Sequence, residues 1–148
     1  SISSLEDLAS GEYQVVIPDV ELQNTQKVKR VVFCSGKVYF DLVAARRERG
    51  IDDIAIVRLE QLYPFPHDQF KIEIERYKDA KEIVWCQEEP GNQGAWHRIQ
   101  HYLQRQMLPH QKLSYALRPS SSTPAGGYLA LHNQRQKAVV DAALSHGV

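Results

Sequence analysis

The chain has 148 residues, 43% of them hydrophobic, with 18 Lys plus Arg balanced by 18 Asp plus Glu. That length suits one domain with a sizeable core. The lack of a basic excess argues against a nucleic-acid binder, and no apolar run nears the roughly 18 residues that span a bilayer.

The first residues, SISSLEDLASG, are acidic and hold no apolar signal core. Ser1, in place of a methionine, reads as a processing or cloning boundary. Ser3-Ser4-Leu5-Glu6 fits a capping box for one helical turn, stopped at Ser10-Gly11. Tyr13, Val15 and Ile17 alternate as a short extended piece ended by Pro18. Asp19 to Gln26 is polar and reads as a crossing over the surface. Residues 1–27 therefore read as a connector built to lie on something else, and 28–148 as the regular domain.

Arg30 to Cys34 reads as a strand, Ser35-Gly36 as a turn, and Lys37 to Arg49 as a helix with Val38, Leu42 and Ala45 on one face and Gly50 as its stop. Ile54 to Leu59 is a near-continuous apolar run, the pattern of a strand covered on both faces. Two prolines stiffen the loop Glu60 to Pro66. Asp68 to Tyr77 places Phe70, Ile74 and Tyr77 at helical spacing, although Phe70-Ile72-Ile74 also satisfies a strand.

The stretch Glu82 to Trp96, EIVWCQEEPGNQGAW, begins as a buried strand, reaches the adjacent acids Glu88 and Glu89, turns at Pro90-Gly91 and launches a helix at Ala95. That helix carries Trp96, Ile99, Leu103 and Met107 on one face. Leu113 to Leu117 reads as a further strand and Leu131 to Ser145 as a last helix burying Val139, Ala142, Ala143 and Leu144. Strand and helix alternate four times, which predicts an α/β fold: a mostly parallel sheet between two helical layers.

Right-handed crossovers gather the strand ends on one edge. They should bring together Ser35 with Gly36, Arg58 with Glu60, Glu88 with Glu89, and Arg118 with its serines, Ser120 and Ser122 among them. The simplest expectation is that Arg58 and Arg118 pair with those acids and cap the sheet. Neighbours on an extended strand face opposite ways, so Glu88 and Glu89 should not share a proton. Arg118 to Gly127 resembles an anion cradle, yet matches neither the Walker pattern nor GxGxxG, and reads first as a serine-rich loop whose hydroxyls satisfy its own backbone. His97 and His101 lie four apart but have no third ligand near in sequence, so no metal site is expected. Cys34 and Cys86 end apolar runs and read as inert core thiols, which suits a bacterial cytoplasm or a mitochondrial matrix. Arg46, Arg47 and Arg49 read as a solvated helix end.

Four segments together resemble a known family: VVFCSGKVYFDL (Val31 to Leu42), IAIVRLEQLYPFP (Ile54 to Pro66), WCQEEPGNQGAW (Trp85 to Trp96) and RPSSSTPAGG (Arg118 to Gly127). In this order and spacing they resemble the C-terminal domain of the thiamine-dependent 2-oxoglutarate dehydrogenases, from about Ser3 to Leu144. The resemblance implies a transketolase-type α/β/α unit, with residues 1–27 joining it to a preceding pyrimidine-binding domain. It implies a parent enzyme that uses thiamine diphosphate and Mg²⁺ to decarboxylate 2-oxoglutarate and pass the succinyl group to a lipoyl domain of the complex's succinyltransferase. A 2-oxoadipate-specific relative stays open, since substrate contacts would lie elsewhere. The domain would pack on its neighbours and its dimer mate, with Arg58, Glu60, Glu88, Glu89, Asn92, Arg118, Ser120 and Ser122 as interface or allosteric-ligand candidates. The family's Gly-Asp-Gly and Asn-Asn cofactor motif is absent, so no catalytic, thiamine or metal residue is expected in this chain, which alone should be inactive. The alternative is a free-standing module that binds a nucleotide or acyl-CoA through Arg118 and its serine loop.

Overall fold

The computed structural model describes residues 15–22, 24–89, 95–117 and 128–145. Among the described residues five strands form one sheet: β1 (Val16–Ile17), β2 (Arg30–Cys34), β3 (Ile54–Leu59), β4 (Glu82–Gln87) and β5 (Lys112–Leu117). The helices are α1 (Val38–Arg49), α2 (His67–Arg76), α3 (Trp96–Gln106) and α4 (Tyr128–Leu144). The spatial order is β1-β3-β2-β4-β5. Strands β2 to β5 are parallel, and β1 runs antiparallel along β3.

This order explains the layers. The step from β2 to β3 moves one way across the sheet, and the steps to β4 and β5 move the other way. Crossovers of one hand therefore place α1 on one face and α2 with α3 on the other. The core divides accordingly. Val31, Phe33, Ala55, Val57, Ile83 and Trp85 pack with Phe70 and Ile74 of α2, with Tyr77 just after it, and with Ile99 and Leu103 of α3. Val32, Cys34, Ile54, Ile56, Val84 and Cys86 pack with Val38 and Leu42 of α1 and Val139, Val140 and Ala143 of α4. Alternate residues of each central strand serve opposite cores, which is why the strands read as unbroken apolar runs.

Local chemistry sets the ends. Gly36 and Gly50 take left-handed conformations, with φ of 79° and 65°, before and after α1. The Gly50 N–H closes onto the Arg46 and Arg47 carbonyls. The helix reading of residues 68–77 prevails over the strand reading: Phe70 and Ile74 are buried whereas Ile72 is 57% exposed. On α4, Val140 is buried and Ala142 is exposed, the reverse of the expectation for Ala142. Arg30, only 3% exposed, explains part of that register. It donates to the Ala142 and Ala143 carbonyls at 3.2 and 3.0 Å and to both Glu82 oxygens. A cation thus satisfies the carbonyl end of α4.

The segment expected to cross the surface does more. In β1 the buried residue is Val16, packed beside Leu59, its register partner. The Asp19 side chain is buried against Arg46 and accepts from the Ile56 N–H at 2.8 Å. Arg46 is itself 3% exposed and donates to the Ile54 carbonyl at 3.0 Å. Of the predicted solvated arginines, Arg46 is therefore a core residue, Arg47 pairs with Glu21 at 2.6 Å, and Arg49 pairs with Asp141 at 2.5 Å. Periodicity could not show this, because the carboxylates come from a strap and a helix remote in sequence. The expected helical turn at Ser3 to Ser10 lies outside the described residues.

Candidate functional site

Parallel register places Arg58, Cys34, Cys86 and Ala116 in one row across the sheet. Beyond that row the strands end, and the edge is made by the loops after β2, β3 and β4. The antiparallel β1 starts at this same edge, where the Val15 carbonyl accepts from the Glu60 N–H at 2.7 Å.

At the β3 end, the Arg58 guanidinium carbon lies 5.0 Å from the Phe40 ring centroid and 5.3 Å from that of Tyr39. The two rings meet edge to face at 5.3 Å. The Gly36 turn brings both rings to Arg58 by starting α1 directly after β2. The Arg58 Nε is 3.4 Å from Glu60 Oε1, an ion pair without hydrogen-bond geometry, and this buried nitrogen has no hydrogen-bond acceptor among the described residues. Rings and carboxylate together hold the cation. Burial raises the Tyr39 phenol above its usual range, with Asp19 adding to the effect.

At the β4 end, the strand stops one residue before the acids. Glu88 Oε1 accepts from Gln136 Nε2 at 3.0 Å, and the same nitrogen donates to Asp41 Oδ2 at 2.7 Å. Glu88 therefore reaches α4, whose Gln136 also binds Asp41 of α1, and not Arg58. Glu89 is exposed, and its carbonyl accepts from Gln87 Nε2 at 3.0 Å. Between α1 and α4 lies an open groove of about 620 Å³, lined by Asp41, Glu48, Arg49, Gln136 and Lys137 among others. Asn92, Arg118, Ser120 and Ser122 lie outside the described residues.

Gln87 organises this turn, and sequence reasoning missed it. It is 1% exposed. Its Oε1 accepts from the Trp85 indole N–H at 2.8 Å and from the Trp96 backbone N–H at 3.1 Å. The amide thereby caps α3, whose own N-cap, Ala95, has no side-chain oxygen to offer. The available signal was a polar residue two positions after Trp85, on the same strand face, before a helix lacking a capping side chain.

The remaining candidates resolve toward structure. His97 and His101 are exposed while Ile99 and Leu103 fill the core. Among the described residues no three His, Cys, Asp or Glu side chains gather as a metal site. Cys34 and Cys86 face each other in register and are fully buried. Burial pushes the Cys86 thiol up to about 12 and the Cys34 thiol well above its usual range. Neither is a thiolate nucleophile at neutral pH. The described edge therefore offers cations, acids and rings for contact, with no nucleophile paired to a base.

The family model described as 2-oxoglutarate dehydrogenase C-terminal matches residues 2–144. The 2-oxoglutarate dehydrogenase E1 component of Cupriavidus necator is 56% identical over 98% of this chain. Those of Coxiella burnetii and Haemophilus influenzae are 49% and 48% identical over 97% and 98% of it. The chain spans about 15–16% of the length of these relatives. It belongs to the 2-oxoglutarate dehydrogenase C-terminal family.

Proposed function

We propose that this chain serves as the C-terminal structural and contact domain of a 2-oxoglutarate dehydrogenase. The parent would decarboxylate 2-oxoglutarate on thiamine diphosphate and Mg²⁺ and hand the succinyl group to a lipoyl-bearing succinyltransferase of the citric acid cycle. The supporting observation is that almost the whole chain aligns at 56% identity with a protein of which it covers only 15%. Residues 1–27 act as the connector from a preceding pyrimidine-binding domain, and β1 ties that connector to the sheet edge. The described residues gather no metal-ligand set, and the sequence has no Gly-Asp-Gly. These residues do not fit the cofactor, so no step of the reaction is assigned to them.

In this reading Glu88, Glu89, Asn92 and Arg118, with Arg58, Glu60, Ser120 and Ser122, arrange contacts to neighbouring domains and to the dimer mate. The test is the full-length enzyme carrying Glu88→Ala or Arg118→Ala. The expected result is slower turnover of 2-oxoglutarate or a weaker dimer. Wild-type turnover together with wild-type dimerisation in both variants would sink the role of this edge. Full-length wild-type protein that fails to decarboxylate 2-oxoglutarate would overturn the assigned activity.

A further inference from the structure

The arginines of this domain meet two kinds of partner. Among the described residues Arg30, Arg46, Arg47, Arg49, Arg58 and Arg76 each pair with a carboxylate. Arg98 and Arg105 pair with none of the described carboxylates and lie over rings instead, 5.7 Å from the Tyr63 centroid and 5.9 Å from that of Tyr102. Tyr102 is itself fixed, stacked on Phe65 at 5.4 Å with the His67 ring edge-on at 5.1 Å. Both arginines are exposed on α3, exposed His101 stands between them, and the helix carries no Asp or Glu. Two turns apart on one helix face, they are separated by about 10.5 Å along the axis. Water satisfies an isolated exposed arginine. Two guanidiniums preset on rings, on a face of one sign in a chain balanced at 18 acids and 18 bases, make a surface complementary to carboxylates.

The same sequence supplies them. Outside the described residues the chain's acids are Glu6, Asp7 and Glu12, all within 1–14, a segment with no Lys or Arg. That segment enters the domain on the side of α3. Val15 packs against the core that α2 and α3 cover, as Leu62 and Tyr102 do, and its carbonyl accepts from the Glu60 N–H. Glu12 lies three residues before Val15 and Tyr63 three after Glu60, so chain length lets each stand within about 10 Å of that bond. Five or six residues separate Glu12 from Asp7 and Glu6, a reach of about 8–20 Å between helical and extended chain. That range brackets the spacing of the two arginines.

We propose that residues 1–14 dock along the outer face of α3, with Glu12 on Arg98 and the Glu6-Asp7 pair on Arg105. The segment is thereby bound to the helical layer of its own domain, away from the edge where the strands end. This goes beyond the proposed function and holds whatever reaction the parent performs.

The experiment uses the full-length parent. Glu12→Cys with Arg98→Cys is oxidised with copper phenanthroline, and disulfides are located by peptide mass spectrometry. Cys34 and Cys86 are buried and stay out of the reaction. A disulfide between positions 12 and 98 of one polypeptide is expected. The control joins Glu12→Cys to Lys137→Cys, exposed on α4 in the opposite layer, and should yield less. No bond from 12 to 98, a bond between two polypeptides, or an equal or greater yield in the control overturns the dock. Adding Arg105→Glu to the first pair sets a carboxylate against Glu6 and Asp7. Disulfide formation should then slow at least about 5-fold, through one lost ion pair and a new like-charge repulsion, and a smaller change overturns the proposal. Neither readout uses turnover, so a parent inactive on 2-oxoglutarate would reject that activity and leave the dock standing.

Discussion

Asp19→Ala tests whether the strap before β2 is part of the domain or merely rests on it. The Asp19 carboxylate is buried, grips Arg46 through both guanidinium Nη atoms, and accepts from the Ile56 N–H at 2.8 Å. Removing it leaves a guanidinium of a residue 3% exposed and a strand-edge N–H without their acceptor. Breaking one side of a buried pair costs about 3–5 kcal/mol. Arg46 keeps its bond to the Ile54 carbonyl at 3.0 Å, and Glu21 lies 3.8 Å away, which argues for the lower end. With a urea slope of about 2 kcal/mol per M, a loss of about 3 kcal/mol lowers the unfolding midpoint by about 1.5 M. Asp19→Asn keeps an oxygen for Ile56 while removing the charge, and should fall between wild type and Asp19→Ala. Replacing both partners, Asp19→Leu with Arg46→Met, should recover most of the loss, because apolar isosteres do not strand a charge. The assay is urea unfolding followed by circular dichroism. An Asp19→Ala loss below about 1 kcal/mol, the range of exposed ion pairs, would refute the reasoning.

Gln87→Ala removes the acceptor for the Trp85 indole and the Trp96 N–H, two donors worth about 1–3 kcal/mol each when left unpaired. We expect a loss of about 2–6 kcal/mol and altered tryptophan fluorescence, and an unchanged melting temperature would contradict the capping role. The native thiols should stay unmodified by Ellman's reagent at pH 8 and react fully in guanidinium, since burial raises both pKa values; native labelling at the denatured rate would refute this. For Glu73, burial raises the carboxyl pKa above its ordinary value despite the opposing Arg76. The folded state then binds the proton more tightly than the unfolded chain, so Glu73 lowers stability as pH rises from its unfolded pKa through its folded one. Glu73→Gln should therefore melt higher than wild type at pH 7, with the advantage vanishing below about pH 4. A variant less stable than wild type at pH 7 would show that the Arg76 pair outweighs burial.

Much of the architecture was legible because its signals are local. The runs at Arg30–Cys34, Ile54–Leu59 and Glu82–Gln87, and the 3.6-residue spacing of Phe70, Ile74 and Tyr77, report burial within a few residues of themselves. Alternation of strands and helices then specified a parallel sheet and one edge where its loops collect. Four motifs in order carried the family. What remained hidden depends on partners far apart in the chain. Asp19 meets Arg46 across 27 positions, and Arg30 meets the α4 carbonyls across more than a hundred. Glu88 finds Gln136 and not Arg58, although both predicted ends lie on one edge. Gln87 became a cap only because α3 begins where its amide points. Periodicity states which face of an element is apolar. Which polar group is buried, and against what, is decided when the elements pack, because desolvation must then be answered by whatever acceptor or donor the neighbouring element brings.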